Sequence, residues 1–453
     1  MLQRADWTAP GHAETWALQR WIELTAHLQR APMRSAGAWI QDALRAGRAL
    51  HSSERRWASD TLFSLVRMLR RNKALTGQKN PSPESLFWTD RWDRWMDVAP
   101  PGEPLPASLQ AALLRCGLDA AALAQQRQRW EAALQEIISH PDPASLLDFL
   151  QMGDCFSYPT WIVAALLQEQ GTERTIQILS TQNGRAPLTI RVNTEKTSRT
   201  ALMSLLLQTQ IATQPTRFSD AGLVLETHQN LYQLDAFQQG LFEIQDEGSQ
   251  LIASLVAPPP GGVVIDACAG AGGKTLALGA LLKNRGRIVA LDIDDRKLQE
   301  LRKRARRAGL TNVAAQHWSE LPHAFPLADR VLCDAPCSGL GTLRRNPEAR
   351  WALQATDPAS LHQQQLAILR KCAPLVKPGG RLIYATCTIL SQENQQTVAA
   401  FLAEHPTFSL VPAKEIWGSA QANLLGDGTF LQTMPLQPSD PDGFFAAVLR
   451  RKT

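Results

Sequence analysis

The sequence contains no apolar run long enough to cross a membrane, and residues 1–30 alternate charge with apolar side chains. Neither a signal peptide nor an anchor is therefore expected, and the chain reads as cytoplasmic. It has no Cys-x-x-Cys pair. Its seven cysteines are odd in number and scattered, which argues against a zinc site and a disulfide framework and suits reduced thiols. Charge is also close to balanced. A net +5 and a pI near 8.9 permit a nucleic-acid partner without requiring one. Two nucleotide-binding signatures are missing: there is no G-x-G-x-x-G, and the first glycine of a G-x-x-x-x-G-K-[ST] loop would fall on Cys268.

What remains is an ordinary globular composition, with 44% hydrophobic and 20% charged residues. A length of 453 residues suggests two or three domains. Helical periodicity dominates Ala13–Gly77, where Trp16, Ala17, Trp21 and Leu24 share a face and Trp57, Leu62, Leu65 and Leu69 continue the period. Ten of the 13 tryptophans lie within the first 161 positions, mostly at core spacings, and read as packing; Arg91–Trp95 reads as a candidate surface stacking patch. Proline-rich breaks at Ala99–Pro106 and His140–Pro143 interrupt the helices. A small α+β unit follows, with strands expected at Leu188–Asn193, Leu223–Leu225 and Leu231–Leu234 and a helix at Ser198–Leu207. A helix over Phe242–Ala253 is expected to open the large domain. The expected division is a helical domain over 1–150 with a possible RNA-binding role, an α+β (RRM-like) domain over 151–240 and a Rossmann-like α/β domain over 241–453.

The chain is organised around Gly262–Thr275. Val263–Ile265 suit a strand buried on both faces, Asp266 ends it, and Gly270, Gly272 and Gly273 turn into an apolar helix. Glycines at a strand-to-helix turn let the backbone approach a ligand and present free N–H groups. The next apolar run ends on Asp292, where a doubly wound fold holds a ribose hydroxyl. Beyond it strands and helices alternate, the signature of a parallel sheet covered on both faces. Two later strands end on chemistry: Arg330–Gly339 carries Asp334 and then Cys337, and Gly380–Thr388 carries Cys387 at its tip. Ligands in such sheets lie outside the carboxyl ends of the strands, so both thiols and Asp334 are expected to share the crevice with the glycine loop.

These features, in this order, resemble the Sun (RsmB-like) family of RNA cytosine-5 methyltransferases. The matching stretches are R-V-N (Arg191–Asn193), Q-D-E-G-S-Q (Gln245–Gln250), D-A-C-A-G-A-G-G-K-T (Asp266–Thr275), D-A-P-C-S-G-x-G-T-L-R-R-N-P (Asp334–Pro347), A-T-C-T (Ala385–Thr388) and D-G-F-F (Asp442–Phe445). A weaker match, G-R-x-L-x-S-x-E-R (Gly47–Arg55), is similar to the helical extension of bacterial members. The resemblance implies a Rossmann-like catalytic domain that uses S-adenosyl-L-methionine, with Cys268, Ala269, Gly270, Ala271, Gly272, Gly273 and Lys274 around the methionine moiety and Asp292 on the ribose. It implies Cys387 as nucleophile, Cys337 for product release and Asp334 against the cytosine edge. Single-cysteine DNA enzymes use the cysteine after the proline, so the inverted assignment stays open. Family members carry an acidic residue near the adenine; here the stretch is Gln316–Leu321, where Ser319 or Glu320 can substitute.

The resemblance also makes RNA the partner, ribosomal RNA first and transfer RNA second, for a chain expected to act as a monomer. Arg344, Arg345 and Arg350, just after Cys337, are the expected RNA contacts. The basic helix Asp295–Arg307, with seven basic and two acidic residues, reads first as a solvated face. A non-catalytic RNA-binding relative is the competing reading, against which the intact catalytic positions stand.

Overall fold

The computed structural model describes residues 12–47, 49–100, 103–139, 146–227, 230–320, 327–418 and 427–453. The chain divides into two compact units, one formed by Met1–Arg185 with Leu343–Ala355, the other by Ala186–Thr342 with Thr356–Thr453. No helix among the described residues is long and apolar enough to cross a membrane.

The first unit is helical, running from Ala13–Leu28 to Thr160–Asn183. Its tryptophans are packing residues. Trp21 and Trp57 join Leu24, Ile40, Leu62, Leu65 and Phe87 in one core, and Trp92, Trp95 and Trp130 join Leu109 and Leu113 in another. The stacking patch expected at Arg91–Trp95 is a correction: all five residues are buried in helix Pro83–Val98. Arg91 stacks on Trp57 at 4.8 Å and pairs with Glu14, while Asp93 holds Arg71. The charges in that stretch neutralise partners inside the fold, which spacing alone does not reveal. The Gly47–Arg55 match likewise starts a helix: Glu54 accepts from the His51 and His12 N–H groups at 2.9 Å each. The helical unit also extends past the expected boundary at 150, since its helices continue to Asn183 and Leu343–Ala355 returns to it.

The second unit holds two sheets. The small one pairs β1 (Thr189–Val192), β2 (Thr213–Pro215), β3 (Gly222–Leu225) and β4 (Phe242–Ile244) in the order β2-β3-β1-β4, all antiparallel. Helix Arg199–Gln208 packs Leu202 and Leu206 against Ile190, Val192 and Leu223 of this sheet. Two expectations change. Leu231–Gln233 is a 3-10 turn, and Phe242–Ile244 is the last strand of the small sheet, so the following helix covers only Glu247–Val256. Three-residue stretches suit strand, turn and helix alike; pairing with β1 decides Phe242–Ile244.

The large sheet runs β10-β12-β9-β8-β5-β6-β7, comprising β5 (Val263–Asp266), β6 (Arg287–Asp292), β7 (Val313–His317), β8 (Ala328–Asp334), β9 (Val376–Thr386), β10 (Phe408–Val411) and β12 (Phe444–Arg451). β11 (Leu431–Thr433) extends it on β12. β5 to β9 pair in parallel, while β12 lies antiparallel to both β9 and β10. This is the doubly wound class expected from the alternation of strands and helices. The chain leaves β5 toward β6 and returns on its other side at β8. That switch opens a crevice over the carboxyl ends of β6, β5, β8 and β9.

Candidate active site

Asp266, Asp292, Asp334 and Thr386 end four adjacent strands, and every catalytic or cofactor residue expected from sequence lies on or just beyond those ends. The glycine loop fills the gap above β5. Gly270 and Gly272 have φ of +53° and +88°, values that suit glycine, and Gly272 caps helix Gly273–Leu281. A Cβ on Gly272 would also lie 2.6 Å from Leu301. Asp292 binds the loop back, accepting from Gly270 N–H at 2.8 Å through one oxygen and from Asp294 N–H at 2.9 Å through the other.

Inside the loop Asp266 is 1% exposed. Its Oδ2 accepts from the Thr275 hydroxyl at 2.6 Å, while Oδ1 is buried without a partner among the described residues. Burial pushes this carboxyl up to about 7, against the opposing Thr275 bond. Lys274 crosses the crevice to donate to Asp334 Oδ2 at 2.6 Å, on the next strand. Burial works against its charge, but Asp334 and that bond hold the ammonium above its ordinary value.

Cys337 and Cys387 stand on the turns after β8 and β9, which pair directly, and their sulfurs are 3.4 Å apart. The Cys387 N–H also donates to Cys337 Sγ at 3.3 Å. The two thiols differ. The hydrogen bond from Cys337, aided by Lys274, holds the Cys387 thiol below its usual value despite burial and Asp334. The same bond, together with burial, pushes Cys337 well above it. Asp334 and both sulfurs are half-buried.

Sequence reasoning missed what fixes these turns. Glu393, fully buried, accepts from Ser338 N–H at 2.9 Å, the Gln365 amide at 3.0 Å and the Thr388 hydroxyl at 3.2 Å. Ser338 and Thr388 follow the two cysteines, and their hydroxyls bond each other at 2.8 Å. One carboxylate thus joins both cysteine turns. Asn394 adds a bond to the Thr388 carbonyl at 3.0 Å, and Gly341 N–H one to the Cys387 carbonyl at 3.0 Å. The only sequence signal was a Glu-Asn pair six residues after Cys387.

The expected RNA contacts belong to the helical unit. Arg350 is 0% exposed, stacked on Tyr158 at 3.8 Å and donating to Ser157 O and Asn183 Oδ1. Arg344 is buried too, and Arg345 is half-buried. Phosphate contact through Arg344 or Arg350 is therefore corrected: their segment, Leu343–Ala355, is packed into the helical unit. At the end of β7, Ser319 and Glu320 both bond His317, Ser319 Oγ at 2.6 Å from its ring and Glu320 accepting from its N–H at 3.3 Å. The rest of that stretch, from Leu321, lies outside the described residues.

The donor set suits S-adenosyl-L-methionine. A ligand carrying an ammonium and ribose hydroxyls would find acceptors in the Asp292 and Asp334 carboxylates and open space beside Gly270.

A family profile described as 16S rRNA methyltransferase RsmB/F matches residues 253–450, and a Methyltr_RsmF/B-like ferredoxin-like domain matches 158–232. A probable ribosomal RNA small subunit methyltransferase B from Synechocystis sp. is 33% identical over 307 residues, covering 67% of this chain and 68% of the relative. The crystal structure of PH0851 superposes with a TM-score of 0.75 at 25% identity over 98% of this chain and all of the other. NSun6 from Pyrococcus horikoshii, solved with SFG, an S-adenosylmethionine analogue, has a TM-score of 0.57 at 20% identity, covering 65% of this chain and 99% of its own. It shares the fold.

Proposed function

The chain belongs to the RsmB/F family of RNA methyltransferases, which use S-adenosyl-L-methionine, and from that premise we propose that it methylates carbon 5 of a cytosine in ribosomal RNA through a covalent cysteine adduct. The observation that carries the reading is the pair of cysteine sulfurs in contact at adjacent strand ends, beside Asp334.

Carbon 5 of cytosine is too weak a nucleophile to take a methyl group from a sulfonium unaided. Cys387, the more acidic thiol, supplies a thiolate that bonds to carbon 6 and makes carbon 5 enamine-like. Asp334, held by Lys274, faces the amino edge of the base, where it accepts from the amino group or, when protonated, donates to ring nitrogen 3 as negative charge builds there. When bound, the cofactor supplies the methyl group on its sulfonium. Loss of the carbon 5 proton then restores the carbon 5–carbon 6 double bond and expels Cys387 as thiolate. Cys337, 3.4 Å from Cys387, assists that loss, as a thiolate base that becomes a thiol or by holding a water that carries the proton to solvent. The assignment follows the family resemblance, and the inverted one is separated from it by the variants of the two cysteines. The target base must be flipped from its stack or already single-stranded.

The test is to incubate the protein with tritiated S-adenosylmethionine and small-subunit RNA, then digest to nucleosides. The label is expected in 5-methylcytidine. Label in another nucleoside would refute the cytosine-5 reading, and labelling of tRNA in preference to ribosomal RNA would move the substrate.

A further inference from the structure

The R-V-N stretch lies on β1 of the small sheet, yet its side chains reach the catalytic sheet. Residues two apart on a strand share a face. Arg191 donates to the Gly273 carbonyl at 2.8 Å, at the start of the helix after the glycine loop, and to Gln245 Oε1. Asn193 donates to Gly240 O at 2.9 Å and to Ala308 O at 3.0 Å, the end of the helix that follows Asp292.

A second cation converges on the same loop. Arg304 donates to the Ala271 carbonyl at 2.8 Å, and its other nitrogen pairs at 3.0 Å with Glu243 on β4. Glu243 is the register partner of Arg191 across the β1–β4 pair and also takes Arg307 at 2.5 Å. Two carbonyls of the cofactor loop are thus held by guanidinium groups, one rooted in β1 and the other in β4 through Glu243.

This arrangement is expensive unless it serves the loop. Arg191 is 6% exposed, forms no ion pair among the described residues and leaves Nε buried without a partner. Its hydrogen bonds go to neutral acceptors, and although the neighbouring Glu243 carboxylate offsets part of the cost of burying its charge, an apolar contact would join two sheets without that cost. The guanidinium does fix a peptide plane. Because C=O and N–H point oppositely across a trans peptide, holding the Gly273 carbonyl aims the Lys274 N–H the other way. N–H groups at a helix start are what this fold offers a carboxylate.

We propose that the ferredoxin-like domain is part of the cofactor site: Arg191 and Glu243 are positioning residues that set the glycine loop and thereby the affinity for S-adenosylmethionine. The proposal rests on that cofactor and not on the cysteine chemistry.

Calorimetric titration with S-adenosylmethionine in the absence of RNA tests it. Arg191→Met should raise the Kd about tenfold, the effect of one lost charge-assisted bond. Arg191→Lys should recover part of that loss. In turnover the KM for cofactor should rise in step, while the KM for RNA and kcat at saturating cofactor stay within about twofold of the parent, a split that general loss of packing does not produce. Cofactor affinity within twofold of the parent in folded Arg191→Met would overturn the proposal, as would parallel changes in kcat and both KM values. Should Arg191→Met not fold, Glu243→Gln decides: weaker cofactor binding supports the proposal and unchanged binding overturns it. Cofactor binding in Cys387→Ala reports separately, since loss of methyl transfer with normal calorimetry leaves this inference standing.

Discussion

Two guanidinium groups hold carbonyls of the glycine loop, and one buried carboxylate joins the cysteine turns. Arg191 and Arg304 hold carbonyls of the loop, whereas Glu393 gathers an N–H, an amide and a hydroxyl from the two thiol-bearing turns and Gln365. The difference follows from what each half presents. A cofactor loop that offers N–H groups must turn its carbonyls backward, where cations can take them. The thiol turns must keep two sulfurs in contact, and a single buried acceptor shared by both does that. Neither half is independent of the other, because Lys274 leaves the loop to hold Asp334 beside the thiols.

The halves should therefore fail differently. The largest effect is expected in the cysteine half. Glu393→Ala strands the Ser338 N–H and the Gln365 amide and frees the turns, so kcat should fall by about 100-fold, the usual consequence of an ångström-scale misplacement. The Kd for cofactor, measured by calorimetry, should not move. A matching loss of cofactor affinity would erase the distinction between the halves.

A smaller loss is expected from the cofactor half. Asp292→Ala removes both the acceptor that holds Gly270 and the expected ribose ligand, and should weaken cofactor binding by ~1.5–3 kcal/mol. Calorimetry again decides, and unchanged affinity would mean that Asp292 only shapes the loop.

The smallest effect sharpens the link between the two. Lys274 lowers the Cys387 thiol, so Lys274→Met should raise it. The pH midpoint for iodoacetamide alkylation of Cys387, followed by peptide mass, should then move up. Glu393 opposes the thiolate, so Glu393→Gln should move it the other way. A downward shift with Lys274→Met would leave Cys387 without its electrostatic aid.

Much of the second unit was legible in the sequence because its chemistry sits at strand ends. Alternation of strand and helix placed Asp266, Asp292, Asp334 and Cys387 on one edge, and pairing of β8 with β9 brought the thiols together. Buried charge was not legible. Arg91, Arg344 and Arg350 have the composition of an RNA-binding surface but are interior, and only their distant partners, such as Glu14 and Tyr158, account for that. Glu393 was missed for the same reason, since its role arises from Ser338 and Gln365, 55 and 28 positions away. Short elements failed too: Phe242–Ile244 joins the small sheet through long-range pairing with β1 that no local pattern encodes.

The central claim, that Cys387 attacks and Cys337 releases, is tested most directly by incubating each cysteine variant with substrate RNA and cofactor and running a denaturing gel. Cys337→Ala should complete attack and methyl transfer but stall at elimination, giving a retarded protein–RNA band that disappears when Cys387 is also replaced. Cys387→Ala should give no band and no methyl transfer. A retarded band from Cys387→Ala, absent from Cys337→Ala, would contradict the account and exchange the roles of the two sulfurs.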